Sequence, residues 1–406
     1  MKLALCIFRY FPYGGLQKDF LRLAETCKHR GYDVFAFCGS GSMPAELLRA
    51  HIKLRILPAR GWTNHGCAKS FEKQFAEIAA EENFDCIVGF NRMAGLDFYF
   101  AGDSCFAERL AHGSFFEKLT FLLPRYRTFL RMENSVFNVN SKTNILTISP
   151  TQTHDYIRRY RTPRERFFRV PLGFDPRCRE LDAAGIAKER KRMRGELALS
   201  DKDFAIFLVG SDFKRKGAMR LISATATLPP EILPRTRIFL VGETRAEPYL
   251  NAAAQLGLSN NVFALGGRKD VPALMCAADL LVHPAEEEAG GSVLLEAAAT
   301  GLPVICTGIC GFAPEIERWE GGTVLTHPFR QEDLNSALAR RAKLYFSDDA
   351  DDAGTPKERS FARPLKKHPA PMVFSRVPRS EAIADLLENF CAQRRFSDEH
   401  QHGEKK

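Results

Sequence analysis

No stretch of this chain approaches the roughly 18 to 20 consecutive apolar residues that a membrane-spanning helix requires. The opening MKLALCIF is apolar but too brief for a secretory signal; no small-residue cleavage site follows it, and Arg9 ends it. It reads as a first buried strand. The 11 cysteines are odd in number and scattered. Cys306 and Cys310 are the closest pair, and neither a second pair nor a nearby histidine completes a zinc set, so free thiols in a reducing compartment are expected. The dinucleotide fingerprint GxGxxG is missing. The acidic residues Asp201 and Asp203, and the run Asp348 to Asp352, fall in polar loops rather than at strand ends. No metal and no cofactor are therefore expected. No module that stacks on bases or reads a groove is present, so nucleic acid is not an expected partner.

What the chain does have is 406 residues, 45% of them hydrophobic and 26% charged, enough for two domains with separate cores. The formal net charge of +9 favours an anionic partner such as a phosphorylated substrate or acidic lipid. Short β-rich apolar runs alternate with helical patterns. LALCIF (Leu3 to Phe8), YDVFAFCG (Tyr32 to Gly39), FDCIVGF (Phe84 to Phe90) and NILTIS (Asn144 to Ser149) read as strands. Leu16, Phe20, Leu23 and Cys27 recur at helical spacing between the first two, and Gly31 falls where that helix should stop. The pattern restarts after Pro171 with FAIFLVGS, TRIFLVGE, NVFALGG, ADLLVHP and LPVICTG.

Such near-continuous apolar strands suit a sheet covered on both faces. The expected class is α/β: two doubly wound Rossmann-like domains facing a cleft, with ligands at the carboxyl ends of the strands. The first is expected over 1–170 and the second over 171–378, the latter with a charged, Pro-rich flexible insert at 347–372. An amphipathic helix over 379–396 closes the chain.

The chemistry concentrates in HPAEEEAGGSVLLEA (His283 to Ala297), where Glu288 and Glu296 stand with seven residues between them. Glu288 lies in a loop running through Ala289, Gly290 and Gly291. Ser292 and Val293 open a helix, and Glu296 sits about one turn into it. Free amides and a helix dipole suit phosphates, and carboxylates suit sugar hydroxyls. GSDFKRKG ends the first strand of the second domain, so Arg215 and Lys216 there can neutralise a diphosphate. Gly14 and Gly15 lie between the first strand and its helix, where backbone amides can approach a ligand, and Asp19 follows one turn on. Arg268 at a strand end and Arg177 at the domain junction are further candidates. His65, His112 and His154 are isolated and read as structural. Phe106, Phe115, Phe116, Phe121, Tyr126, Phe129 and Phe137 interleave with Arg109, Lys118, Arg125, Arg127 and Arg131 over 105–137. That mixture suits an anionic membrane surface.

Together the spaced glutamates, GSDFKRKG and FPYGGLQKDF resemble the retaining GT-B glycosyltransferases that use nucleotide sugars. TNHG (Thr63 to Gly66), GFNRMAGLD (Gly89 to Asp97) and FAGDSCFAE (Phe100 to Glu108) make the chain more similar still to the lipopolysaccharide core glucosyltransferases. The similarity runs from Met1 to about Phe346; Glu286, Glu287 and the 347–372 insert stand outside it. The resemblance implies transfer of glucose from UDP-glucose, with retention, to a heptose of an inner-core lipid. It implies that Glu296 binds the ribose and Glu288 the donor sugar. Gly291, Ser292 and Val293 would give amides, and Arg215 and Lys216 charge, to the phosphates. Gly15, Asp19, Asp103 and Arg177 would complete the sugar pocket. The 105–137 stretch would meet the cytoplasmic face of the inner membrane. Another UDP-sugar, such as UDP-N-acetylglucosamine, another lipid-linked acceptor, and UDP-sugar epimerisation are the alternatives.

Overall fold

The computed structural model describes all residues except 12–13, 42–44, 59, 109–121, 172, 174–176, 181, 319–321, 348–376 and 404–406. Two compact units emerge, Met1–Leu172 with Ser375–Lys406, and Gly173–Phe374. Each is an α/β unit around one parallel sheet, which is the fold class expected from the sequence.

The first unit holds β1 (Lys2–Tyr10), β2 (Asp33–Gly41), β3 (Lys53–Ile56), β4 (Cys86–Gly89), β5 (Phe98–Ala101), β6 (Asn144–Thr147) and β7 (Phe167–Arg169), in the order β3-β2-β1-β4-β5-β6-β7. The strands pair in parallel, with β1 between β2 and β4. Leu3, Ala4, Leu5, Cys6 and Ile7 are buried one after another, so helices must cover both faces of β1. The helix Gly15–His29 does so on one side by burying Phe20, Leu23 and Cys27, and Gly31 follows it at φ +82°.

The second unit repeats the plan with β8 (Phe204–Val209), β9 (Thr236–Val241), β10 (Val262–Gly266), β11 (Leu280–His283), β12 (Val304–Thr307) and β13 (Gly322–Leu325), ordered β10-β9-β8-β11-β12-β13. Its core joins Phe204, Ile206, Leu208, Val282 and Ile305 to Leu334 and Leu338 of the helix Gln331–Ser347. Strand order reverses at β8 and β11, and in open parallel sheets ligands collect where the order reverses.

The chain's last described helix, Arg379–Gly403, belongs to the first unit. Ile383, Ala384, Leu387 and Cys391, at helical spacing, form its buried stripe. Phe390 meets Phe98 edge-on at 5.0 Å, and Arg30 at the end of the helix Gly15–His29 faces Glu381, Asp385 and Glu388. Thr26 and Ser380 hydroxyls lie 2.9 Å apart.

Of the aromatic–basic stretch, residues 109–121 lie outside the described residues, as do residues 348–372 of the insert. One assignment within the stretch is corrected. Phe137 is wholly buried and stacks on Tyr156 with ring centroids 3.6 Å apart, so it is a core side chain and not part of a surface. Phe106 stacks on Tyr126, while Leu122 and Leu123 are exposed beside exposed Arg125 and Arg127. Among the described residues no helix is long and apolar enough to cross a membrane.

Candidate functional site

After β8 the chain turns through residues 210–217 into the helix Ala218–Thr225. Gly217 sits at φ +77°, and a Cβ there would lie 2.0 Å from the carbonyl oxygen of Pro284. Only glycine fits both the backbone and the close approach. The turn is tied to the loop after β11: Glu286 N–H donates to the Arg215 carbonyl at 2.8 Å, and Arg220 Nη1 donates to the carbonyls of Pro284 and Ala285, each at 3.0 Å. Gly210 leaves room for the Lys216 stem, since a Cβ would meet Lys216 Cγ at 2.7 Å. Two strand ends are thereby locked together, and their charged side chains converge.

Lys216 Nζ pairs with Glu288 Oε2, and His283 Nε2 lies 2.9 Å from the same oxygen. All three side chains are buried or nearly so. Burial alone would raise the Glu288 carboxyl, but the charge of Lys216 and the hydrogen bond with His283 outweigh it and hold the group well below the usual carboxylate range. Glu288 is therefore ionised at any working pH. For His283 burial dominates and lowers it below the ordinary imidazole value, against the pull of Glu288.

Gly291, at φ +84°, precedes the helix Ser292–Ala299 and offers no side-chain cap. The first-turn amides of Ser292 and Val293 have no partner within their own helix by its geometry, and they carry the positive dipole end. Ala289 and Gly290 are buried, and the Gly290 carbonyl accepts from Phe312 N–H at 3.0 Å, which fixes the loop. Glu296 is half-buried on the same helix. The structure thus brings Glu288 and Lys216 into contact and sets the Gly291–Val293 corner beside them, with Arg215 half-buried in the adjoining turn.

Arg268 and Arg177 have partners of their own, and the short helix Arg177–Glu180 packs against the helix Ser292–Ala299. Arg268 is held by Asp270 at 2.7 Å and Glu196 at 2.7 Å, and those hydrogen bonds, Asp270 first, raise it further above its already high value. Arg177 is exposed and donates to the Lys269 carbonyl at 2.9 Å.

In the first unit Gly14 ends the approach to its helix; a Cβ there would overlap Gln17 Oε1 at 1.8 Å. Gly15 is exposed with open space around its Cβ direction. Asp19 is ion-paired with Arg379 at 2.7 Å. The Asp103 carbonyl accepts from Gln152 Nε2 at 2.7 Å and from Tyr156 O–H at 3.2 Å. Its loop is further held by Glu133, fully buried, which accepts from the N–H groups of Phe106 at 2.7 Å and Ala107 at 2.9 Å, and from Tyr160 O–H at 2.6 Å. Arg92 balances that charge at 2.9 Å.

Sequence reading had not singled out His283, Arg379 or the Arg92–Glu133 pair. His283 carried a usable signal, because it closes a buried strand at a sheet's switch point. Arg379 carried none, as its partner lies 360 positions away.

Among the described residues no cluster of three or more His, Cys, Asp or Glu is placed to hold a metal ion. At the site itself the carboxylate Glu288 is committed to a lysine and a histidine, while the groups able to meet an anion are cations and amides.

Comparison with known proteins gives a consistent result. The family described as Glycosyl transferases group 1 matches residues 189–349. The chain is 38% identical over 342 residues to the lipopolysaccharide glucosyltransferase WaaG of Escherichia coli K12, covering 84% of this chain and 89% of that protein. A crystal structure of WaaG, a glycosyltransferase involved in lipopolysaccharide biosynthesis, superposes with a TM-score of 0.84 at 34% identity, covering 95% of this chain and 99% of the other. The Anabaena HepE structure in complex with UDP-glucose superposes with a TM-score of 0.67 at 19% identity, covering 98% and 100%, and shares the fold.

Proposed function

Since the chain belongs to the group 1 glycosyltransferases, and within them to the family of the lipopolysaccharide glucosyltransferase WaaG, we propose that it moves glucose from UDP-glucose to a heptose of the lipopolysaccharide inner core. It is a hexosyltransferase of GT-B fold. The observation that carries the donor assignment is the convergence of Lys216 and His283 on Glu288 beside the start of the helix Ser292–Ala299.

In this reading the diphosphate rests on the amides of Gly291, Ser292 and Val293 and on the charges of Arg215 and Lys216. Glu296 takes the ribose hydroxyls and Glu288 the donor sugar. Breaking the anomeric C–O bond develops positive charge on the sugar ring and negative charge on the departing β-phosphate. Lys216, Arg215 and the helix dipole oppose the second charge more strongly in the transition state than before it, which is what raises the rate. The acceptor hydroxyl attacks from the face the phosphate leaves, so configuration is retained, and the phosphate takes the proton. Basic groups supply the charge that a divalent ion would otherwise give, so the reaction needs none. Gly14, Gly15, Asp19 and Asp103 serve the sugar from the first unit, and Arg177 from the second. Arg268, at a strand end of the same unit, is left to the base or a phosphate.

The exposed Leu122 and Leu123 beside Arg125 and Arg127 support peripheral contact with anionic lipid at the cytoplasmic face of the inner membrane, where such acceptors are built. A donor screen tests the assignment, with heptose-terminated core lipid as acceptor and EDTA present throughout. Transfer from UDP-glucose alone is the expected result. Preference for UDP-N-acetylglucosamine would move the donor assignment, and interconversion of UDP-sugars without acceptor would replace transfer by epimerisation. Sedimentation with vesicles containing acidic lipid tests the membrane contact.

A further inference from the structure

His283 ends β11 at the middle of the second sheet, where side chains at the strand's carboxyl end face the site. Its ring is completely buried. Nε2 lies 2.9 Å from Glu288 Oε2, whereas Nδ1 is buried with no hydrogen-bond partner among the described residues.

These facts settle the ring's protonation. A carboxylate held ionised by a lysine can only accept, so Nε2 must carry the hydrogen. A hydrogen on Nδ1 as well would bury a donor with nothing to receive it and place a second positive charge beside Lys216 and Arg215. The ring is therefore neutral, with its one proton on Nε2.

The contact geometry then acquires a purpose. Lys216 and His283 both meet Oε2, and neither meets Oε1. A lysine alone holds a carboxylate loosely, because its ammonium rides on a flexible four-carbon stem. A buried ring on a strand fixes the direction as well. We propose that His283 is a positioning residue: as a neutral Nε2–H ring it pins one oxygen of Glu288, fixing the rotamer that leaves the other oxygen to a hydroxyl of the donor sugar. This inference rests on the reading of Glu288 as the donor-sugar ligand. A histidine that merely fills the core would tolerate any side chain of similar size.

Three variants separate the two roles. Glutamine at 283 can set its amide nitrogen where Nε2 stands; asparagine is too short, and leucine keeps the bulk without a donor. With UDP-glucose and core lipid, His283→Gln is expected within a few-fold of wild type. His283→Asn and His283→Leu are expected to lose about 10²-fold in kcat, the scale on which a misplaced catalytic geometry costs rate. UDP affinity, read by calorimetry, should stay nearly unchanged because UDP lacks the donor sugar that Glu288 holds. Equal activity in all three variants, or equal loss in all three, would overturn the proposal. Nitrogen-15 NMR of the histidine-labelled wild-type enzyme gives a readout independent of any donor or of folding in the variants. A neutral Nε2–H tautomer is expected at pH 7, and an Nδ1–H tautomer or an imidazolium would refute it. Should no UDP-sugar be turned over by the wild type, the functional reading fails while the tautomer result still decides the role of the ring.

Discussion

Arg379, in the first turn of the last helix, donates through Nη1 to Asp19 Oδ2 at 2.7 Å, and through Nε to the Pro171 carbonyl at 2.9 Å. Both charged side chains are largely buried, at 7% and 17% exposure. Removing one partner leaves the other desolvated without compensation, which costs far more than the pair itself contributes.

Arg379→Ala should therefore destabilise the first unit by about 3 kcal/mol, toward the lower end for a broken buried pair because Asp19 keeps some water. Urea unfolding of Arg379→Ala, Asp19→Asn and the double variant checks this. The double variant should be less destabilised than the sum of the singles; strict additivity would mean the two groups do not interact.

Gly210→Ala adds no charge and removes none, yet its methyl would press on the Lys216 stem, 2.7 Å from Cγ. The stem must swing, and the ammonium then leaves Glu288. A fall of roughly tenfold or more in kcat, with a lowered thermal midpoint because the buried Glu288 loses its ion partner, is expected; the rate loss stays below the 10²- to 10³-fold expected for deleting a charge-stabilising donor outright as in Lys216→Ala. Unchanged turnover in Gly210→Ala would show that the position of Lys216 is unimportant.

Gly217→Ala faces a different obstacle. Its methyl would strike backbone, the Pro284 carbonyl, in a left-handed conformation that side chains resist. The link between the turn after β8 and the loop after β11 should part, with a loss of about 2 kcal/mol or more in stability from strain and overpacking combined. Chemical denaturation reads it directly.

The depressed Glu288 carboxyl makes a pH prediction. Burial opposes ionisation, and Lys216 followed by His283 overcomes it. As pH falls, the unfolded chain takes up the proton first, near the ordinary carboxylate value of about 4.3, while the folded chain does not. The Glu288 contribution is thus complete above that value and drains away below it. Lys216→Met should be most destabilising relative to wild type near pH 7, and the gap should narrow toward pH 3. A gap independent of pH would mean the pair contributes nothing through ionisation.

How much of this the sequence carried depends on length and neighbourhood. Nine strands were visible because each is a run of apolar residues bounded by Gly, Pro or polar turns. β3, β5, β7 and β13 were not. β3 is an edge strand of four residues, half of its pattern exposed, and β7 has three residues, too few for a period to show. Glu288 and Lys216 could be named because strand ends in such sheets are where ligands go. Their mutual contact could not, since 72 residues separate them and only the parallel pairing of β8 with β11 brings them together. The same limit hid the Arg379–Asp19 pair. In Phe137 the sequence misled: a phenylalanine among arginines fits a lipid-facing stripe and a core equally, and its stacking partner Tyr156 comes from another helix.

The helix Arg379–Gly403 follows the whole of the second unit in the chain, yet the surface it covers belongs to elements that precede that unit. Until it arrives, the groove beside Phe98 and the helix Gly15–His29 faces water with its apolar lining uncovered. The early-made half is thus held open while the late-made half completes itself, and the nascent chain needs shelter for that interval.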